Sequence, residues 1–315
     1  AYILSYCIKI SLFLHRSLLR YFHMNEIQIL QGDDIPFLLR QIPDKPNKLY
    51  VKGCLPKDDV KLLCIVGARK HSSYGEEACR KLITGLKGYN ICIVSGLALG
   101  IDGIAHRTAL EAGLHTIAFP GSGLNDSVLY PPTHKRLANE ILYAGGALIS
   151  EFDMNQVGMH WTFPQRNRLM AGISHATVII EAKEKSGTLI TARFALDYSR
   201  DVGAVPGSIF SPLAYGPNDL ISDGAKIITS SEDILEILGL KTRKTPIIQK
   251  NLFLNRTDAE IKIIELLSIE PHNSEQLIQK IGLPAQELNM AISTLEIEGI
   301  ISSSDTNTFK ICNDV

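Results

Sequence analysis

Ile91-Cys-Ile-Val94 runs straight into Ser95-Gly-Leu-Ala-Leu-Gly-Ile-Asp102: a short apolar run, a Gly- and Ser-rich turn, then a helix-like segment. The plan recurs along the chain. Leu62-Leu-Cys-Ile-Val66 leads into Gly67-Ala-Arg69, Thr116-Ile-Ala-Phe119 into Pro120-Gly-Ser-Gly123, and Val178-Ile-Ile180 into Glu181-Ala-Lys-Glu-Lys-Ser-Gly-Thr188. A turn after a parallel strand points backbone N–H groups outward, and the helix start behind it adds a partial positive charge. A single turn of this sort is weak evidence. Several, with arginines close by, describe a phosphate-binding rim.

Outward from these turns the pattern keeps alternating. Strand-like runs lie at 62–66, 91–94, 115–119, 147–150, 176–181, 202–206 and 226–229, with Lys48-Leu-Tyr-Val51 as a short edge strand. Helical stretches lie near 74–87, 103–112, 133–143, 165–173, 188–199 and 231–238. This predicts an α/β fold, a doubly wound, mostly parallel sheet with helices on both faces. Ser73 to Glu76 offers a capping box for the first helix, and Gly113 a stop for the second. Ligands in such sheets bind beyond the carboxyl ends of the strands, where the turns lie.

The remainder divides by composition. Residues 1–44 form an N-terminal extension whose first 23 residues are apolar but broken by Lys9, His15, Arg16 and Arg20, too many charges for a membrane span. With Met24 the first methionine, they read as a domain remnant or translated leader. Residues 45–240 hold the sheet, and 241–256, charged and aperiodic, read as a linker. In 257–315, Thr257-Asp-Ala-Glu260 opens a helix with Ile261, Ile264 and Leu267 inward, and Ser274 caps a second that stops at Gly282. Pro284 starts a third, with Leu288, Ala291, Ile292 and Leu295 on one face and Gly299 as its stop. Ile300-Ile301 and Phe309-Lys-Ile311 flank the turn Asp305-Thr-Asn307 as a small hairpin. Three helices and a hairpin make a winged helix-turn-helix.

The net charge of the 315-residue chain is −1, but it is unevenly spread. Residues 257–315 carry three lysines, no arginine and ten acids, a net −7 that leaves +6 on everything before them. The basic body is the better home for a polyanion. The third helix of the tail has no Lys or Arg from Pro284 to Gly299 and three glutamates, which argues against a duplex-reading role and for protein contact or oligomerisation. The six cysteines contain no C-x-x-C pair, and Cys64 and Cys92 sit in strand-like runs, so a reduced, cytoplasmic setting fits. At 45% hydrophobic content the chain can bury a sizeable core.

The motifs narrow the chemistry. The Ser95–Asp102 turn is no Walker A loop, because no Lys-Ser/Thr follows its glycines, and Gly121-Ser122-Gly123 lacks the third glycine of a dinucleotide fingerprint, with Asp126 in its place. Phe163-Pro-Gln-Arg-Asn-Arg168 sets Arg166 and Arg168 about Asn167 where a helix begins, suited to backbone phosphates or base faces, or else a solvated surface turn. Arg69 ends a central strand and stands over the rim, unless it pairs with Glu181 or Asp102. Asp102 and His106, at i and i+4, lack a third ligand, so no metal is expected. No Ser-His-Asp set or carboxylate pair can be placed. The residues describe a binder, without catalytic residues or cofactor.

Taken together, Val66-Gly-Ala-Arg69, Ser95–Asp102 with Ala105-His106, Phe163-Pro-x-Arg-Asn-Arg168 and Glu181-Ala resemble the DNA-processing protein A (DprA/Smf) family of bacteria. So do Ser186-Gly-Thr-Leu-Ile-Thr-Ala192, Val205-Pro-Gly207 and Gly216-Pro-Asn218…Leu220-Ile221…Gly224-Ala225. The likeness runs in order over roughly residues 45–240, and the acidic winged helix resembles the C-terminal module many members carry. It implies an extended Rossmann-like domain that binds single-stranded DNA, protects it and loads the RecA recombinase in natural transformation, commonly as a homodimer. Carried onto this chain, the strand pocket is Arg69, the turn Ser95, Gly96, Leu97 to Gly100, then Arg166, Asn167, Arg168, Ser186, Gly187 and Thr188. The Gly121, Ser122 and Gly123 turn joins that rim.

The chain departs from the family at Leu99, where members usually carry Arg, and that implies weaker binding and a smaller salt slope. A helical N-terminal domain of the kind some members carry is absent or truncated. The competing reading is an enzyme resembling the lysine-decarboxylase-like phosphoribohydrolases, which act on nucleoside monophosphates. Their Pro-Gly-Gly-x-Gly-Thr-x-x-Glu motif overlaps Gly187-Thr188, but Thr191 holds the place of the catalytic Glu. A winged-helix transcription regulator is disfavoured by the acidic third helix.

Overall fold

A computed structural model describes residues 26–241, 256–267, 270–303 and 308–312. The extension up to residue 25, most of the expected linker and the Asp305–Asn307 turn lie outside the described residues. The chain separates into two compact units, with the division between Thr242 and Arg243.

The first unit is built on a nine-stranded sheet. In chain order its strands are β1 (Ile27–Gln31), β2 (Lys48–Gly53), β3 (Lys61–Val66), β4 (Ile91–Ser95), β5 (His115–Ala118), β6 (Ala147–Ser150), β7 (Ala176–Ile179), β8 (Asp201–Ala204) and β9 (Lys226–Ile227). They lie in the order β1-β2-β6-β5-β4-β3-β7-β8-β9. From β3 to β6 the chain winds outward in one direction, returns to the other side of β3 as β7, and winds the opposite way. All pairs from β6 to β9 are parallel, while β2 runs antiparallel to both β1 and β6. This is the doubly wound α/β architecture the alternation predicts.

Period-two alternation on the central strand divides the core. Leu62, Cys64 and Val66 of β3 face one layer, with helices α1 (Phe37–Arg40), α5 (Thr162–Ile173) and α6 (Gly187–Asp197). Leu63 and Ile65 face the other, with α2 (Ser73–Thr84), α3 (Ile101–Glu111) and α8 (Ser231–Ile237). A third cluster packs α4 (Lys135–Tyr143) over β5 and β6. Ile65 is fully buried, so Ile65→Ala would cost about 2–5 kcal/mol in lost burial and cavity. Three elements escape the sequence pattern: β1, too exposed to read as a strand, and the short helices α1 and α7 (Tyr215–Ser222).

Two of the expected N-caps are shifted by one residue. Ser72, not Ser73, caps α2: its side chain accepts from the Gly75 N–H, while its own N–H and hydroxyl donate to the Glu181 carboxylate. Glu181, at the end of β7, thus supplies from across the sheet what Glu76 would supply in a local capping box. Gly113, at φ +70°, follows α3 as anticipated, and the Leu114 N–H closes onto Ala109 O.

The second unit holds α9 (Asp258–Leu267), α10 (Ser274–Ile281), α11 (Ala285–Ile297) and a small sheet of β10 (His272–Asn273), β12 (Thr308–Ile311) and β11 (Ile301–Ser303). This is a winged-helix arrangement. The Thr257–Glu260 capping box forms as expected, whereas α10 is capped by Asn273 with Gln276 rather than by Ser274. Gly282 sits in the left-handed region at φ +72° and stops that helix. Leu288, Ala291, Ile292 and Leu295 of α11 are buried against Ile263, Ile264 and Leu267 of α9.

Candidate functional site

The winding direction reverses between β3 and β7, and the loops leaving their carboxyl ends diverge there. Such a switch point opens a crevice in doubly wound sheets. A cavity of about 480 Å³ occupies it. Val66 to Lys70 at the end of β3, and Lys183, Ser186, Gly187 and Thr188 after β7, form two walls. Phe163, Pro164, Arg166, Asn167 and Met170 from the start of α5 form a third, and Ala98 and Asp102 complete it beyond β4. Thr191 and Leu213 also line it.

A chain of hydrogen bonds holds these loops to one another. The Thr188 hydroxyl donates to Gly67 O at 3.1 Å, joining the loops after β7 and β3. Asn167 Nδ2 donates to Gly187 O at 3.3 Å, and Arg166 Nε donates to Asn167 Oδ1 at 3.1 Å. From there Arg166 Nη1 donates to the carbonyls of Gly96 and Phe119, reaching the turns after β4 and β5. Asp102 accepts from the Gly96 N–H at 3.1 Å. One arginine therefore ties the α5 start to two other turns.

Arg166 is only 5% exposed and so is not the rim cation the sequence suggested. Burial pushes its pKa down to about 10, opposed by the nearby Asp102 carboxylate, and it stays charged at neutral pH. Burial likewise raises the Asp102 pKa, against the pull of Arg166 and of the Ala98, Gly96 and Gly67 N–H groups. The charge lies in the floor, below the groups a ligand would meet first.

Arg69 meets the expectation of an exposed cation. It lines the cavity, its guanidinium sits 5.1 Å from the Phe163 ring centroid, and among the described residues it makes no ion pair. Glu181 is occupied by Ser72 and Asp102 by Gly96, so neither alternative partner holds it. Lys70 and Lys183 are also exposed on the cavity wall and were missed. The signal was present, since both stand in the turns after β3 and β7, as Arg69 does. Ser186 caps α6 by accepting from the Thr188 N–H at 3.2 Å, so that helix start faces the cavity.

The other candidates are placed differently. Gly96 and Gly121 line a narrow cleft beside the cavity with Leu99, Tyr130 and Phe163. Ser95, Leu97, Gly100, Ser122, Gly123 and Arg168 line neither space. Ser95 is fully buried and its hydroxyl donates to Ile65 O at 2.7 Å. Leu97 is buried at φ +57°, and Gly100 at φ +79° has its α-carbon against the Ala68 and Arg69 backbone, where a side chain would collide. The buried Ser122 hydroxyl accepts from the Tyr130 N–H and donates to Gly123 O, and the Gly123 N–H donates to Gln156 O. Arg168 gives two bonds to Glu151, at 2.6 and 2.5 Å, and one to Asp44 O at 2.6 Å. These residues shape the turns and hold them in place.

Asp102 is the one carboxylate among the residues lining the cavity, and it faces the Gly96 N–H. Thr191, where the hydrolase motif would require Glu, lies in the wall. The arrangement offers exposed cations, a helix start and an aromatic face: chemistry suited to an anionic, base-bearing ligand.

Comparison with known proteins places the chain's family. Protein Smf of Escherichia coli K12 is 38% identical over 265 residues, covering 82% of this chain and 70% of that protein. DNA processing protein DprA of Streptococcus pneumoniae R6 is 41% identical over 205 residues, 64% of this chain and 71% of that one. The X-ray structure of DprA from Streptococcus pneumoniae superposes with a TM-score of 0.63 at 37% identity, covering 69% of this chain and 76% of that one. DNA processing protein A from Helicobacter pylori, whose structure was described for its single-stranded DNA binding mode, gives 0.59 at 27% identity, covering 68% and 96%. A DprA winged-helix model matches residues 254–305, and the model for DNA recombination-mediator protein A matches residues 26–239. The chain belongs to the DNA recombination-mediator protein A family.

Proposed function

We propose that this chain binds single-stranded DNA in the crevice between β3 and β7, gripping the sugar–phosphate backbone. The observation that carries the reading is the set of exposed cations Arg69, Lys70 and Lys183 around one cavity, with the α6 start on its wall. Backbone phosphates meet cations and helix-start N–H groups, and the Phe163 ring beneath Arg69 offers a face on which a base can stack. A duplex cannot offer an unstacked base to that ring. The single-stranded DNA binding named for the Helicobacter pylori relative supports the same ligand.

In this reading the protein protects the strand and passes it to the RecA recombinase during recombination and natural transformation. It works inside the cell as a homodimer that brings bound strands together. Among the described residues no helix is long and apolar enough to cross a membrane. The test is a titration of labelled single strands and of duplex of equal length at several salt concentrations. Single strands should bind at lower protein concentration, with the logarithm of the binding constant falling linearly in log salt. Equal or tighter duplex binding overturns the reading.

A further inference from the structure

In a winged helix-turn-helix, the third helix is the one that enters the major groove of DNA. Here that helix, α11, exposes Met290 at 67% and Ile297 at 86%, both large apolar side chains left in solvent. They are seven residues apart, two helical turns, and so share one face. Between them lie Ser293 and Thr294, small enough to leave a shallow notch, and the Thr294 hydroxyl already donates to Met290 O at 3.0 Å. Covering Thr294 therefore strands no hydroxyl donor there. Glu287, Glu296 and Glu298 are the charged residues of the helix and of the turn that ends it, and neither contributes a cation of its own.

One contact already shows what this surface attracts. Arg256, just before α9, forms an ion pair with Glu298 at the end of α11. A phosphate backbone brought to the same place would meet carboxylates, whereas a cationic side chain would find partners. The net −7 of residues 257–315 extends that preference beyond the contact itself.

We propose that the exposed face of α11, centred on Met290 and Ile297, docks a basic amphipathic segment of a partner protein. The partner's apolar residues cover Met290, Ile297 and the notch between them, while its Lys or Arg side chains meet the flanking glutamates. This surface is independent of the strand-binding crevice, so the two readings stand or fall separately.

The test uses the full chain and two labelled helical peptides of equal length, one of Leu and Lys, the other of Leu and Glu, read by fluorescence anisotropy. The Leu/Lys peptide should bind at least tenfold more tightly than the Leu/Glu peptide. Met290→Ser with Ile297→Ser should weaken it at least tenfold, and Glu287→Gln with Glu298→Gln should flatten its salt dependence. Because Met290 and Ile297 are exposed, the serine pair should keep the wild-type melting temperature, and the crevice variant Arg69→Ala should leave peptide binding unchanged. Equal binding of the two peptides, or indifference to the serine pair, overturns the proposal. So does a loss of duplex binding or of self-association caused by the serine pair, which would assign the face to DNA or to a second copy.

Discussion

Arg166 closes directly over Gly96: its guanidinium donates to the Gly96 carbonyl, and a Cβ built on Gly96 would collide with that same guanidinium. Residues 70 apart in sequence are thus locked together, one by its charge and length, the other by having no side chain. The expected effects of substitution follow from burial. Arg166→Ala leaves the buried Asp102 without its nearest cation and should cost about 3–5 kcal/mol of stability. Gly96→Ala should cost about 1–3 kcal/mol by displacing the arginine. Thermal melts check both; a wild-type melting temperature for Arg166→Ala would show that the guanidinium is no structural tie.

Arg69→Ala, Lys70→Ala and Lys183→Ala should behave in the opposite way. Their side chains are exposed, so melting should barely change. Single-strand affinity should fall alike for all sequences, because backbone contacts carry no base information. Each lost phosphate contact should reduce the log–log salt slope by about 0.7. Unchanged titrations would remove these residues from the site.

Leu99 stands 46% exposed in the cleft beside Arg69, so replacing it disturbs little packing. Leu99→Arg should add a cation beside Arg69, tighten single-strand binding and steepen the salt slope by about 0.7. Titration at three or more salt concentrations reads both changes. No gain in slope would mean that position 99 does not reach the strand.

Arg168→Ala should act on stability before affinity. Its guanidinium holds Glu151 with two bonds and Asp44 O with a third, joining the N-terminal lead-in to α5. Denaturant titration should show a lowered midpoint, with single-strand affinity kept once the variant is folded. An affinity loss with unchanged stability would return Arg168 to the binding surface.

The fully buried His106 gives the fold a pH dependence. Burial, helped by the neighbouring His134, pushes its pKa down to about 3. In the unfolded chain the same imidazole takes a proton below about pH 6.5. From there downward the unfolded state binds the extra proton, so stability falls by up to about 1.4 kcal/mol per pH unit. His106→Asn should flatten the stability profile between pH 6.5 and 4.5 relative to the unsubstituted protein, as read by denaturant titration. Parallel profiles would contradict a neutral buried imidazole.

Read alone, the sequence determined the alternating strands and helices, the winged helix and the turns at the carboxyl ends of the strands. Those features are local: apolar runs such as Leu62–Val66, stops such as Gly113 and Gly282, and the capping box at Thr257 are written in neighbouring residues. It also marked Arg69, because a cation ending a buried central strand has the rim as its natural outlet. Only the tertiary structure decided which polar residues face the cavity. Arg166 and Arg168 are two residues apart, yet one is drawn inward by the Gly96 and Phe119 carbonyls and the other sideways by Glu151. The Ser95 hydroxyl donates to Ile65 O in β3, and that of Ser122 to Gly123 O within its own turn. Apart from Gly123, those partners come from distant parts of the chain, so local spacing could not name them. Glu181 reaching across to cap α2 has the same cause. Secondary structure is set mainly by near neighbours, whereas the direction of a charged side chain is set by whichever buried polar groups folding brings beside it.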